Sequence, residues 1–397
     1  MKILYISGSI GLGHIVRDLA IARELHKRVP TVEIYWLAAH PATILLAEAG
    51  EKILPEAEHF ANYTTVAEKV AENGFRLNCL KYAFSAIGQM IKNARLFRQV
   101  IARQHYDLVV GDEAYEVWWA LTNKKVRLDV PFVMMFDCFG IDSLTWNPIE
   151  KLLTYLSNVT WFRGSRFLSR PQNTALFIGE SEDVANKPFG FGLPNRRKVA
   201  EQILQFVGYV VPFDPAEYTD KSAVRKKLGY GQEPLIVCSI GGTAVGRELL
   251  GLCCEAYPII CKEIPGVQML VVCGPRLEKE LLKVPEAVTV KGYVPALYEH
   301  FAASDLAIVQ GGGSTTLELT ALRRPFLYFP LEGHFEQQVD VSGRLIRHKA
   351  GISMNYKKTT PDSLAEMAIS NIGKTVNYPP IPTDGAKKAA EIIVKLL

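Results

Sequence analysis

His14 stands where a short apolar run, Lys2-Ile-Leu-Tyr-Ile6, passes through Ser7-Gly-Ser-Ile-Gly11-Leu-Gly13 into an apolar-periodic helix. A histidine there can take a proton from a hydroxyl near neutral pH. The positive end of the helix favours its neutral, basic form. The position also suits a histidine that only binds phosphate or water, and both roles stand. Two further glycine turns carry different chemistry. Gly241-Gly242-Thr243-Ala-Val-Gly246 follows the strand-like run Pro234–Ile240, and Gly311-Gly312-Gly313-Ser314-Thr315 follows Asp305–Val309. Glycine lets backbone approach an anion closely, and free N–H groups at a helix start bind phosphate. Single turns of this kind often only end strands. Two in one α/β half favour a diphosphate site.

Glu318 lies one helical turn inside the helix that opens at Gly313. Its carboxylate can accept hydrogen bonds from a ribose, as acidic residues do in dinucleotide folds. It can equally be a glutamate favoured by the helix dipole. Pro330-Leu-Glu332-Gly-His334-Phe-Glu336-Gln337-Gln338 puts a polar cluster directly after a strand-like run. Ligands of open α/β sheets bind at that carboxyl edge, and amides suit sugar hydroxyls because they both donate and accept.

The elements that must position these groups alternate. Lys2–Ser7, Val32–Leu37, Tyr106–Gly111 and Pro131–Phe136 read as short buried strands separated by helical patterns. The second half repeats this with Pro234–Ile240, Gln268–Cys273, Val288–Gly292, Leu306–Gln310 and Pro325–Pro330. Continuous apolar strands between helices indicate parallel sheets covered on both faces. A chain of 397 residues is long for one core. The expected architecture is α/β, with two Rossmann-like domains and a cleft between them. Residues 1–205 form the first, joined by a C-terminal helix at about 376–397, and 206–375 form the second. From about Ala67 to Gln104 the pattern is helical with no strand signal.

Composition narrows the class. Hydrophobic residues make up 48% and charged residues 22%, as in soluble globular chains. A net charge of +4 gives no case for nucleic-acid binding. Seven cysteines without a CxxC pair read as free thiols in a reducing compartment. No signal peptide or membrane-spanning window is read, so a cytoplasmic location is expected, with the inner membrane face as an alternative place of contact. The stretch Lys81–Arg98 combines apolar and basic positions at helical spacing. It suits an anionic membrane that carries a lipid acceptor. A core-facing helix with a solvated basic face is the commoner origin of such a pattern.

Taken together, these residues resemble a GT-B glycosyltransferase of the branch that makes lipid II from UDP-GlcNAc. The stretch Lys291-Gly-Tyr293-Val294-Pro…Ser304-Asp305…Glu318…Pro325…Pro330…Glu336-Gln337-Gln338 is similar to that family's donor domain. The turn ending in His14 resembles its GGTGGH loop. Phe136-Asp137-Cys-Phe-Gly140-Ile141 resembles its HEQNGI segment, keeping an acid but not the histidine. The resemblance implies that backbone at Val294 reads uracil. Gly242, Thr243 and Gly311–Ser314, with Thr315, would hold the diphosphate, and Glu318 the ribose. His334, Glu336, Gln337 and Gln338 would line the donor sugar. Gly11 and Gly13 would shape the acceptor-side loop, and Asp112 would orient His14, with Asp137 the competing base.

The family's linker arginine has no counterpart, because Val210-Val211-Pro212 stand there; Arg247 is the candidate replacement. No DxD-type triad is evident, so no metal site and no cofactor are expected, the UDP-sugar being a substrate. The implied activity is inverting, metal-independent transfer of a hexose or N-acetylhexosamine from a UDP-sugar to an acceptor hydroxyl, lipid-linked acceptors included. The alternatives are a UDP-sugar 2-epimerase of the same fold and a non-catalytic nucleotide-sugar-binding subunit of a membrane transferase.

Overall fold

The computed structural model describes residues 1–8, 12–72, 75–77, 79–278, 280 and 282–397. Gly11 of the acceptor-side loop lies outside them. The chain forms two compact units. The first holds Met1–Val66, Cys79–Pro212 and Pro382–Leu397; the second holds Ala67–Asn78 and Phe213–Ile381.

In chain order the strands are β1 (Lys2–Ile6), β2 (Glu33–Leu37), β3 (Lys52–Ile53), β4 (Ala71–Glu72) and β5 (Arg76–Leu77). Then come β6 (Leu108–Asp112), β7 (Phe132–Phe136), β8 (Asn173–Ile178) and β9 (Gln205–Gly208). The second unit adds β10 (Leu235–Ser239), β11 (Gln268–Val272), β12 (Val288–Lys291), β13 (Leu306–Gln310), β14 (Phe326–Phe329) and β15 (Ile352–Ser353).

The first sheet runs β3-β2-β1-β6-β7-β8-β9, and its pairings are parallel. The second runs β12-β11-β10-β13-β14-β15, also parallel. Central strands such as β6, β7, β10 and β13 are buried at every residue. This is why they read as unbroken apolar runs rather than alternating ones. In each sheet the chain moves outward to one edge and returns to the other side of its first strand. The switch points are β1/β6 and β10/β13. Ligands of open α/β sheets bind beyond the strands' carboxyl ends at such points.

The unit boundaries fall at 212/213 and 381/382 rather than 205/206 and 375/376. The cause is pairing: β9 extends the first sheet beyond residue 205, and Tyr209 N–H donates to the Pro382 carbonyl at 2.8 Å. The terminal helix Gly385–Val394 belongs to the first unit, where Arg28 meets Glu391 at 2.9 Å.

The larger difference is Ala67–Asn78, expected to be helical and part of the first domain. It carries the end of the helix Tyr63–Val70 and the antiparallel hairpin β4/β5, and it packs in the second unit. There Glu332 N–H donates to the Phe75 carbonyl at 3.0 Å, and the Phe75 ring stacks on Tyr356 with centroids 5.0 Å apart. Two-residue strands are too short to interrupt a helical periodicity visibly.

Candidate active site

Three neighbouring strands of the first unit deliver its polar cluster. His14 follows β1, Asp112 closes β6, and Asp137 follows β7. His14 Nδ1 lies 2.9 Å from Asp112 Oδ2. The approach depends on Gly8, where a Cβ would stand 3.1 Å from the Asp112 carbonyl oxygen and 3.4 Å from the His14 ring. His14 and Arg17 share a helix face at i, i+3. Arg17 Nε donates to Asp112 Oδ2 at 3.0 Å and Nη2 to Oδ1 at 2.5 Å, while Nη1 donates to Asp137 Oδ2 at 2.5 Å.

Burial by itself would raise the Asp112 carboxyl, but the charge of Arg17 and then His14 outweighs it and holds the group below the usual carboxylate range. Burial likewise works against the Asp137 carboxylate, and Arg17 overrides it, holding the group well below that range. An ionised Asp112 can only accept. In the neutral ring the Nδ1 proton of His14 therefore points at Asp112, which leaves Nε2 as a lone-pair acceptor.

Glu113 completes the cluster, and the sequence reading missed it. Its Oε2 is 3.8 Å from His14 Nε2, and its Oε1 accepts from Tyr115 Oη at 2.9 Å. Burial and then the Asp137 charge push its carboxyl far up, so Glu113 holds a proton beside ionised Asp137. Its backbone adopts φ +48°, an uncommon conformation outside glycine that clusters at functional sites. Asp18 is buried under the same cluster, accepting from Ser7 and Tyr5 hydroxyls.

A cavity of about 220 Å³ opens on this cluster. His14, Glu113 and Glu116 supply its polar wall; Tyr63, Tyr82, Ile87 and Met90 line the rest. Glu116 is buried against Asn93 and Tyr63, and burial pushes its carboxyl to about 7. The signal for Glu113 and Glu116 was available: Asp112-Glu113 directly after a buried strand, with Glu116 three residues on.

The helix Cys79–Arg103 answers the question left by Lys81–Arg98 only in part. Its later residues Phe97 and Val100 are core. Its earlier Phe84 and Ile87 are 63% and 50% exposed, so the helix is not core-facing along its whole length.

One group among the described residues could hold a cation. Donor atoms of His14, Glu113 and Asp137 lie within 4.8 Å of one another. Their chemistry is a poor fit, since Glu113 retains a proton and Asp137 is already paired with Arg17.

In the second unit both glycine turns sit at the β10/β13 switch point. No side chain caps the helix Gly313–Ala321, so first-turn N–H groups of Gly313, Ser314 and Thr315 have no intrahelical partner. Thr243 Oγ1 is buried without a hydrogen-bond partner, as is His334 Nδ1. Such atoms are costly unless something satisfies them. Glu318 is half-buried, and burial alone pushes its carboxyl to about 8. Glu336 reaches the Gly313 turn: its Oε1 would stand 3.4 Å from a Cβ there. Val294 follows β12 and packs on the second core.

Two expectations change. Gln337 is buried, and its Oε1 accepts from Leu331 N–H at 2.9 Å, so this carboxamide braces its own loop rather than offering itself to a sugar. Gln338 Nε2 likewise donates to the Leu331 carbonyl at 2.9 Å. Arg247 extends into solvent with its side chain 59% exposed beside Glu248, and carries no sign of replacing a linker arginine.

Residues 236–392 match the glycosyltransferase family 28 C-terminal domain. A glycosyltransferase of Methanosarcina mazei, itself uncharacterized, is 34% identical over 369 residues, covering 85% of this chain and 82% of that protein. A UDP-N-acetylglucosamine–N-acetylmuramyl-(pentapeptide) pyrophosphoryl-undecaprenol N-acetylglucosamine transferase of Carboxydothermus hydrogenoformans is 26% identical, covering 100% and 98% of the two chains. The crystal structure of the kitacinnamycin glycotransferase aligns with a TM-score of 0.61 at 15% identity, over 100% of this chain and 98% of that one. That likeness shows the fold, which is GT-B. With two parallel-sheet units, a relative of this name along most of its length and a family 28 C-terminal domain at residues 236–392, the chain belongs to the glycosyltransferases.

Proposed function

We propose that this glycosyltransferase moves a hexose or N-acetylhexosamine from a UDP-sugar to an acceptor hydroxyl, with inversion and without a metal. The observation that carries the reading is the His14–Asp112 pair at 2.9 Å, opening on a cavity at the β1/β6 switch point. His14 Nε2 takes the acceptor's proton as that oxygen bonds to the anomeric carbon. The bond from that carbon to the diphosphate oxygen breaks in the same step, which inverts the centre. N–H groups of the first helical turn at Gly313–Thr315, together with those of the Gly241–Gly246 turn, receive the leaving diphosphate's charge. The epimerase and binding-subunit alternatives are not carried forward, because the family is one of glycosyltransferases. The apolar part of the cavity wall and exposed Phe84, Ile87 and Ile91, with Lys92, Arg95 and Arg98 on the same helix, support an apolar or lipid-linked acceptor met at a membrane surface. Among the described residues no helix is long and apolar enough to cross a membrane. A cytoplasmic site of action at the inner membrane face is part of the proposal.

Titration calorimetry tests the donor. UDP is expected to bind more tightly than GDP, since backbone near Val294 can pair with uracil while a purine crowds it; equal or tighter GDP binding overturns the assignment. Ribose hydroxyls donate best to an ionised carboxylate, whereas Glu318 in the free protein ionises only at about pH 8. UDP binding therefore draws a proton off Glu318 and tightens between about pH 6 and 8. Glu318→Gln should remove that part of the pH dependence and weaken UDP by about 1–3 kcal/mol. The phosphate's own titration near about pH 6 persists in the variant, so the difference isolates Glu318. An identical profile in both proteins takes Glu318 out of the site. EDTA should leave UDP release from the UDP-sugar intact; a loss restored only by magnesium or manganese refutes the metal-free step.

A further inference from the structure

The turn Gly241–Gly246 is already engaged by an anion of the chain itself. Glu68, on the helix Tyr63–Val70, places its carboxylate against the turn: Oε1 accepts from Ala244 N–H at 3.1 Å and from Arg276 Nε at 2.7 Å, and Oε2 accepts from Arg276 Nη2. This is a two-pronged guanidinium–carboxylate pair with a backbone N–H added, the pattern by which proteins also hold phosphate. Burial works against the Glu68 charge, but Arg276 and the Ala244 N–H outweigh it and hold the carboxyl below its usual range.

The turn is built to bring Arg276 close. A Cβ at Gly274 would run into the carbonyl oxygen of Gly241, and Gly274 sits at φ +77°, so only glycine lets the chain after β11 pass this near. Thr243 Oγ1, one residue before Ala244, is buried and has no partner. A carboxylate therefore sits on donors of the kind a phosphate takes, next to a hydroxyl without a partner.

We propose that Arg276 is a donor-binding residue for the nucleoside diphosphate and that Glu68 is a carboxylate gate over it, competing with the diphosphate for Arg276 and the Ala244 N–H. The inference rests on the donor reading given above and adds to it a cation and a competitor. Donor binding swaps one anion for another: Glu68 swings into solvent and the diphosphate takes its two donors. The pair then sets a threshold on donor affinity and keeps the guanidinium compensated while the site waits.

The test is calorimetry with UDP and with uridine, which lacks phosphate. Glu68→Ala is expected to tighten UDP about threefold to tenfold and to leave uridine unchanged, the range matching a partly exposed two-pronged pair. Glu68→Gln, which keeps the shape, should act in the same direction. Arg276→Ala is expected to weaken UDP at least about tenfold, again without effect on uridine. UDP binding that is unchanged or weaker in both Glu68 variants overturns the gate while leaving the donor reading intact. UDP binding that survives Arg276→Ala overturns the role of Arg276. Failure of UDP and uridine to bind the wild type and the variants alike overturns the donor reading, and the gate with it.

Discussion

His14→Ala is expected to lower kcat by about 10²–10⁴ while leaving UDP affinity close to that of the wild type. The assay is release of UDP from the UDP-sugar, with water or an added alcohol as acceptor. The size of the effect follows from geometry. Nδ1 of His14 is tied to an ionised, fully buried Asp112 at 2.9 Å, which orients the ring and stabilises the imidazolium formed when Nε2 takes a proton. The competing base is a weaker one. Asp137 is clamped by Arg17 and held well below the usual carboxylate range, so it gives up little by staying ionised and gains little by accepting a proton. Asp137→Asn should therefore cost less activity than His14→Ala. Asp112→Asn should fall between them in kcat, because the ring loses its orienting acceptor but keeps Nε2. Circular dichroism on each variant separates lost chemistry from lost fold. If Asp137→Asn proves the more damaging change in a folded protein, His14 is not the base.

Arg17→Met is expected to destabilise the first unit by about 3–5 kcal/mol, the cost of leaving buried charges without their partner. Arg17 is the cation common to Asp112 and Asp137, and only 7% of it is exposed. The chain provides its own reporter: Trp36, Trp118, Trp119, Trp146 and Trp161, all five tryptophans, lie in the first unit. Urea unfolding followed by tryptophan fluorescence thus reads that unit separately. The pH dependence checks the cause. Asp112 and Asp137 have depressed values in the folded state, so their contribution is present above the unfolded carboxylate value of about 4 and is lost as pH falls through the folded values. The gap between wild type and Arg17→Met should narrow as pH drops from about 6 to 3. A gap that stays constant over that range would mean that the loss comes from packing of the arginine stem. The buried Glu113 and Asp18 shift the other way and weaken the unit as pH rises, so the comparison between the two proteins, rather than either curve alone, carries the answer.

Part of the candidate site was legible in the sequence because its signals are local in the chain. A buried strand ending in glycines and opening a helix is written within about a dozen residues, and three such passages place His14, Thr243 and Gly311–Thr315 at sheet edges. The alternation of apolar runs and helical patterns likewise carries the two α/β halves. What only the tertiary structure decided are partnerships between residues far apart in sequence. Arg17 meets Asp137 across 120 positions, and Glu68 meets Arg276 across 208. No spacing rule connects them, because each contact depends on which strands become neighbours in a sheet. Gln337 shows the converse: its residue type suits a sugar, yet the turn of its own loop spends the amide on Leu331. Residue type states what a side chain can bind. Burial and backbone geometry decide whether it is free to do so, and the desolvation that turns Glu318 and Glu113 into proton carriers exists only once the chain has folded around them.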